Sequence, residues 1–333
     1  MTDPNPINWG ILSTARIGAT AFVPSARATP GARVLAVASR SREKAEAWAR
    51  EHDIPVALGS YEALVEHPEI DAIYISLPNS LHAEWTVAAA RAGKHVFCEK
   101  PLAVTAEEGR RMAAACREAG VLLFEAFVFM HHPQSRRLLE IVRSGEIGAL
   151  RHIDAGMTFP VDDPSNIRMI KALGGGSIYD GGVYPITFAR FIAGGDPVSV
   201  MANMRFDDRS GVDVAVSLIL EFPGGLTATL NCGFQGRGGA HARITGSEGR
   251  LVVPTPYHPG PESRFEVVPA SGDGRAETTC TGTPPFQPAI EFFQRCMRGE
   301  ETPAYMADRA EGTLRVVEAA FESARTGRRV DLG

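Results

Sequence analysis

Five short apolar runs, NWGIL, ARVLAVAS, DAIYISLP, KHVFCEK and VLLFEAF, recur through the first 125 residues with helical spacing between them. Runs too apolar to keep one wet face form strands covered on both sides, and a helix between successive strands is the usual crossover to a parallel neighbour. The intervening stretches Arg42 to Glu51, Tyr61 to Val65, Ser80 to Ala92 and Ala106 to Ala119 carry the helical period, and Gly93 and Gly120 stand where helices end. The pattern predicts an α/β domain over residues 1–125, built on a doubly wound parallel sheet.

Beyond a helix at Pro133 to Ser144 the period changes to two. HIDAGMTF, VSVMANMRF, DVAVSLILEF and LTATLNCGF, then ARITG and RLVVP, alternate apolar and polar residues with only turns between several of them. This predicts an α+β domain over 126–333 with a large, open, mostly antiparallel sheet. Residues 254–288 read as an irregular excursion around one strand, RFEVV, before two closing helices at Gln287 to Arg298 and Asp308 to Arg325. Two domains suit a chain of 333 residues, because single cores stop growing near ~250 to 300 residues.

Composition excludes several classes. A net charge of −5 without any block of like charges argues against a nucleic-acid or anionic-lipid surface. No apolar run is long enough to span a bilayer, and MTDPNPIN lacks a signal pattern, so a cytoplasmic protein with no membrane partner is expected. Cys98, Cys116, Cys232, Cys280 and Cys296 are far apart and form no C-x-x-C, as expected of reduced thiols. The adjacent His131 and His132 cannot make an i,i+4 ligand pair, and no metal is expected.

In an open parallel sheet, ligands bind past the carboxyl ends of the strands. After the first strand comes Ser13-Thr14-Ala15-Arg16-Ile17-Gly18, where a dinucleotide fingerprint would read G-x-G-x-x-G. Ser13 can turn if its backbone stays in an allowed region, Ala15 adds one methyl, and Gly18 keeps the role of packing helix on strand. The helix start still offers free N–H groups to a phosphate. Taken alone, the turn is equally a structural strand-turn-helix. Past the fourth strand, CEKPLA holds Lys100 extended before a proline, between an apolar strand and the next helix, where a lone surface lysine is out of place. In the second half, LGGGSIYDGGVYPI leads three glycines into a helix with Asp180 and Tyr184 at i,i+4, which Pro185 should kink or delay. An ordinary glycine-rich loop before a packed helix fits that pattern too.

Taken together and in order, GILSTARIG, AVASRS, PNSLHAEW, AGKHVFCEKPLA and LGGGSIYDGGVYPI resemble the Gfo/Idh/MocA family of nicotinamide-dependent sugar oxidoreductases along almost the whole chain. The resemblance implies an N-terminal Rossmann domain and a C-terminal domain with an open sheet. It implies that Ser13, Thr14, Ala15, Arg16, Ile17, Ser39, Arg40, Lys44, Leu77, Pro78, Asn79, His82, Glu99 and Lys100 bind the cofactor. It makes Lys100, Asp180 and Tyr184 the catalytic residues. Many members place a histidine where this chain has Tyr184. That departure resembles the branch of sugar ketoreductases, D-xylose dehydrogenases and dihydrodiol dehydrogenases, in which the tyrosine is the proposed acid or base. Asn166 and Arg168, in DPSNIR, match a substrate-cavity segment of that branch.

The expected reaction is hydride transfer between the nicotinamide and a hydroxyl or keto carbon of a sugar or related polyol, a small-molecule partner. Tyr184 exchanges the proton, Lys100 steadies the reacting oxygen, and Asp180 orients substrate hydroxyls or Lys100. Dihydrodiol oxidation, or a non-catalytic cofactor sensor on the same fold, are the alternatives. About 20 residues past the turn, NAD-binding chains carry an acid. Ser39 stands there, followed by Arg40, with Arg42 and Lys44 near; this favours NADP(H), with NAD(H) accepted if Arg40 merely covers the adenine. The alternating strands from Val198 to Phe234 suggest a homodimer or homotetramer.

Overall fold

The computed structural model describes residues 6–303 and 310–333. Both the start of the chain, with its MTDPN, and Asp308, the expected first residue of the last helix, lie outside the described residues. Two compact units divide the chain, one from the described residues of Met1–Val128 and Thr283–Glu311, the other from Phe129–Gly282 and Gly312–Gly333.

The first unit holds six parallel strands: β1 (Ile7–Leu12), β2 (Ala32–Ala38), β3 (Val56–Leu58), β4 (Ala72–Ile75), β5 (His95–Cys98) and β6 (Leu123–Glu125), in the order β3-β2-β1-β4-β5-β6. Strand order reverses between β1 and β4, which makes their carboxyl ends the topological switch point. The crossover helices start on side-chain caps: Ser41 Oγ accepts from Lys44 N and Thr105 Oγ1 from Glu108 N. Gly120 ends the second of these helices at φ 67°.

Trp9, Phe22, Tyr74, Phe97 and Phe124 form an aromatic core on the sheet, with the Phe22 and Tyr74 rings stacked 3.9 Å apart. Phe293, from the helix Gln287–Met297, closes that core at 5.7 Å from Trp9 and 5.6 Å from Phe97. The continuous boundary expected at residue 125 therefore differs from the observed division. An apolar helical stripe shows that a helix is covered, and not which sheet covers it.

The second unit carries β7 (Leu150–Thr158), β8 (Ser199–Phe206), β9 (Asp213–Glu221), β10 (Thr227–Gly233), β11 (Gly239–Gly246), β12 (Gly249–Val253), β13 (Glu262–Pro269), β14 (Arg275–Cys280) and β15 (Val330–Asp331). They form one nine-stranded sheet in the order β14-β13-β12-β11-β7-β10-β9-β8-β15, antiparallel except for the β7–β10 pair. Val214, Val216, Leu218 and Leu220 of β9 all point to the buried face. On the opposite face Met201 and Ile219, paired across β8 and β9, are 47% and 49% exposed. The alternation thus sends most of its apolar residues inward and leaves the outer face mixed. The excursion expected around RFEVV is a hairpin: β14 was not legible because it is a polar, largely exposed edge strand, pinned to the helix Pro133–Ser144 by Arg137 and Glu277 at 2.8 Å. All five cysteines are free thiols, four of them buried. Among the described residues no helix is long and apolar enough to cross a membrane.

Candidate functional site

In the first unit, the turn after β1 adopts the backbone that the missing first glycine would have supplied. Ser13 sits at φ 113°, a conformation that costs a non-glycine residue about 1–3 kcal/mol. Hydrogen bonds offset the strain: Ser13 N donates to Ala38 O at 3.1 Å, and its hydroxyl lies 3.0 Å from both Ser76 O and Ser76 Oγ. The expectation that Ser13 keeps an allowed backbone is thus corrected. Its hydroxyl also accepts from Ala15 N, so its polar atoms are engaged inside the protein. Gly18 is corrected too: a Cβ there would meet Trp48 at 3.6 Å, an ordinary contact, so helix-on-strand packing does not demand a glycine.

Thr14 and Ala15 are partly exposed, and Arg16 and Ile17 exposed, at the start of the helical segment that runs through a wide turn at Gly18–Phe22 into Val23–Ala28. First-turn N–H groups have no intrahelical acceptor and face a ligand at the surface. At the end of β2, Ser39 is buried and Arg40 is exposed. The Arg40 guanidinium bonds Tyr61; burial nevertheless leaves the Tyr61 phenol above its ordinary value. Lys44 is exposed, while Arg42 pairs with Glu46 at 3.0 Å. An anion-receptive turn next to a strand end that carries a cation and no carboxylate fits a dinucleotide with a 2′-phosphate.

The segment after β5 is fixed from three sides. Glu99 Oε1 accepts the Tyr74 hydroxyl at 2.6 Å, and Glu125 Oε1 accepts Leu102 N at 2.7 Å. His82 ring nitrogens lie 2.9 Å from Pro101 O and 2.8 Å from Leu77 O. These ties hold the backbone around Lys100, itself half-buried. His82 is 0% exposed and Leu77 6%; His82 bonds the Leu77 and Pro101 carbonyls and so fastens one loop to the other. Burial pushes the His82 imidazole below its usual value. Pro78 and Asn79 stay partly exposed beside them.

In the second unit, Asp180 falls in a wide turn at Ile178–Gly182, which passes into the helix Val183–Ala193. Pro185 is the third residue of that helix, just past the wide turn, so its missing N–H falls near the junction of the two and not in the helix interior. Asp213, 1% exposed, anchors the turn by accepting the Ser177 hydroxyl and Ile178 N, both at 2.7 Å. Gly176 is required beside it. Its φ is 129°, and a Cβ there would lie 2.2 Å from Asp213 Oδ1. Gly182 lets the turn lie on β10, since a Cβ would meet Cys232 Sγ at 2.8 Å. The glycines are structural needs of the turn that carries Asp180 into the Tyr184 helix.

Asp180 Oδ2 pairs with Arg168 Nε at 2.5 Å, and the Arg168 guanidinium stands 5.9 Å from the Phe159 ring centre. The structure thus brings Arg168 and Asp180 together. Asn166 Oδ1 accepts Arg168 N at 3.1 Å and caps that short turn. Tyr184 is 9% exposed. Its ring stacks on Tyr257 at 5.4 Å, and its hydroxyl lies 3.1 Å from His258 Nε2. Sequence reasoning missed both partners, because Tyr257 and His258 sit in an aperiodic loop between β12 and β13; the only signal was two polar-tipped rings in the proline-rich PTPYHPG.

Residues 7–127 match the oxidoreductase family with an NAD-binding Rossmann fold, and residues 135–252 match the GFO/IDH/MocA C-terminal domain. The chain is 37% identical over 326 residues, 97% of it and 99% of the relative, to a D-xylose 1-dehydrogenase (NADP(+)) of Haloferax volcanii. Among solved structures it is similar to the aldose-aldose oxidoreductase from Caulobacter crescentus complexed with glycerol, at TM-score 0.91 and 28% identity over 98% of this chain and 99% of that one. It is likewise similar to a 3-ketoreductase from Actinomadura kijaniata in complex with NADP and TDP-benzene, at TM-score 0.88 and 32% identity over 96% and 98% of the two chains.

Proposed function

Because the chain belongs to the Gfo/Idh/MocA family of oxidoreductases, we propose that it transfers a hydride between NADP(H) and a hydroxyl or keto carbon of a sugar or related polyol. The observation that carries this reading is Tyr184: a buried phenol with a hydrogen-bonded hydroxyl, on the helix that follows the Arg168–Asp180 ion pair. A relative named as a D-xylose 1-dehydrogenase (NADP(+)), and a similar 3-ketoreductase structure in complex with NADP, support the substrate class and the cofactor.

The nicotinamide, when bound, supplies or accepts the hydride. The residues that hold the cofactor are Thr14, Ala15, Arg16 and Ile17 toward the pyrophosphate, Ser39, Arg40 and Lys44 toward the 2′-phosphate, and Pro78, Asn79 and Glu99 along the strand ends. Lys100 hydrogen-bonds the reacting oxygen and stabilises the negative charge that develops on it. Tyr184 takes the proton from a substrate hydroxyl, or returns it to a carbonyl. Asn166, Arg168 and Asp180 orient the neighbouring hydroxyls. Tyr184→Phe and Lys100→Ala should each lose roughly 10²-fold or more in turnover with cofactor affinity near normal. Full activity in both overturns the assignment.

The same reading includes a homodimer or homotetramer, formed through the outer face of the nine-stranded sheet around Met201 and Ile219. A monomer in sedimentation at micromolar concentration contradicts it. Five unpaired thiols support a reducing, cytoplasmic setting.

A further inference from the structure

We propose that His258 is a positioning residue for the reaction, the group through which Tyr184 exchanges its proton with solvent. This rests on Tyr184 being the acid–base group.

The His258 Nε2 to Tyr184 hydroxyl distance of 3.1 Å is within reach for proton transfer between them. The two rings meet edge to face at 4.9 Å, so the imidazole approaches with its ring nitrogen rather than lying flat on the phenol. Tyr184 is buried while His258 is exposed. A buried phenol that gains a proton at every turnover needs an outlet, and the imidazole joins it to water.

The loop that carries His258 is held on both sides. Gln134, 0% exposed, donates from Nε2 to Thr255 O at 3.0 Å. His132, 3% exposed, accepts Gln134 N at Nδ1, which leaves Nε2 as the donor to Gly260 O at 3.1 Å. His132 is therefore a neutral fastener, and burial pushes its imidazole below the usual value. Between those anchors Tyr257 is 1% exposed, stacks on Tyr184 and donates to His241 O at 3.4 Å. Burial drives the Tyr257 phenol well above its ordinary value, so it stays protonated and does not compete for the proton. His258 is the imidazole of this loop, and its Nε2 faces the Tyr184 hydroxyl.

The step balances. When a substrate hydroxyl is oxidised, its O–H proton moves to the Tyr184 oxygen, and a bound nicotinamide would take the hydride from the carbon. The Tyr184 proton passes to His258 Nε2, and the imidazolium releases its Nδ1 proton to water. Reduction runs the same path backwards. Among the ionisable groups around the pair, Tyr257 stacks on Tyr184 and His132 holds Gly260 two residues beyond His258, while Asp180 and Arg168 pair with each other before the Tyr184 helix.

The test compares His258→Ala and His258→Gln in the full chain, read as kcat and KM across pH with and without added imidazole. Alanine should lower kcat about 10-fold or more with KM nearly unchanged, and imidazole should restore a large part of it. Glutamine keeps a hydrogen bond to Tyr184 but cannot carry the proton, so it should be as slow as alanine. Both variants should lose the pH limb that belongs to the imidazole. Full kcat in alanine overturns the relay, as does full kcat in glutamine, or a slow alanine variant that imidazole leaves unchanged. A fully active Tyr184→Phe would instead remove the reading on which the relay rests, so the two failures are distinct.

Discussion

Replacing Asp213 by asparagine probes the anchor of the turn that leads to Tyr184. The carboxylate takes the Ser177 hydroxyl and Ile178 N at 2.7 Å, and also the backbone N–H groups of Ser177 and of Asp213 itself. Each hydrogen bond to a charged acceptor contributes about 1.5–3 kcal/mol. An amide keeps one acceptor oxygen but turns an NH₂ toward donors, so at least one such bond is lost. Against this, the amide removes the cost of burying a charge, which is what holds the Asp213 carboxyl above its ordinary value. The balance leaves the variant less stable by about 1–3 kcal/mol. Its pH dependence has a definite sign. A carboxyl with a raised folded-state value binds its proton more tightly when folded, so its contribution is complete below the ordinary value of 3.8 and is lost as pH rises through the raised value. Asparagine does not titrate. The stability gap should be widest near pH ~4 and narrower at pH ~7, measured by urea unfolding followed by tryptophan fluorescence and circular dichroism. A gap that is constant, or that widens toward neutral pH, refutes the argument.

Arg40→Ala should weaken NADP(H) binding by about 2 kcal/mol while barely changing NAD(H), measured by fluorescence titration of both cofactors; equal losses for the two would remove Arg40 from the 2′-phosphate. Gly176→Ala forces a side chain onto a backbone at φ 129° and against Asp213, so unfolding should show a loss of about 1–3 kcal/mol or more. An unchanged urea midpoint would contradict it.

Much of the architecture was legible because burial writes a period into the sequence. The helices Arg42–Glu51, Ala106–Ala119 and Pro133–Ser144 fall where the apolar stripe puts them, the second ending at Gly120 as its sequence indicates. Lys100, Asp180 and Tyr184 stood out because each follows a strand or glycine break that leaves a functional side chain little structural excuse. What escaped had no period to read. β14 is an edge strand with no buried face, and the helix Gln287–Met297 returns to the first sheet across a long gap in sequence. Ser13 takes a glycine's backbone because Ser76 and Ala38 hold it there, a tertiary cause invisible in the turn itself. The family resemblance singled out His82, but its backbone partners were not legible. Its burial depends on where the Leu77 and Pro101 carbonyls converge.

The most direct test of the central claim is the fate of the hydrogen on the reacting carbon. Purified protein with NADP⁺ is offered a panel of aldoses, D-xylose among them, each carrying deuterium at C1, with keto-sugars and NADPH as the reverse arm, and the cofactor is recovered for mass spectrometry and NMR. The account predicts that at least one aldose reduces the cofactor with its deuterium delivered to nicotinamide C4, and that Tyr184→Phe slows this transfer roughly 10²-fold. Tight NADP(H) binding with no deuterium transfer from any sugar, and no keto-sugar reduced, would contradict the account and leave a cofactor-binding sensor in its place.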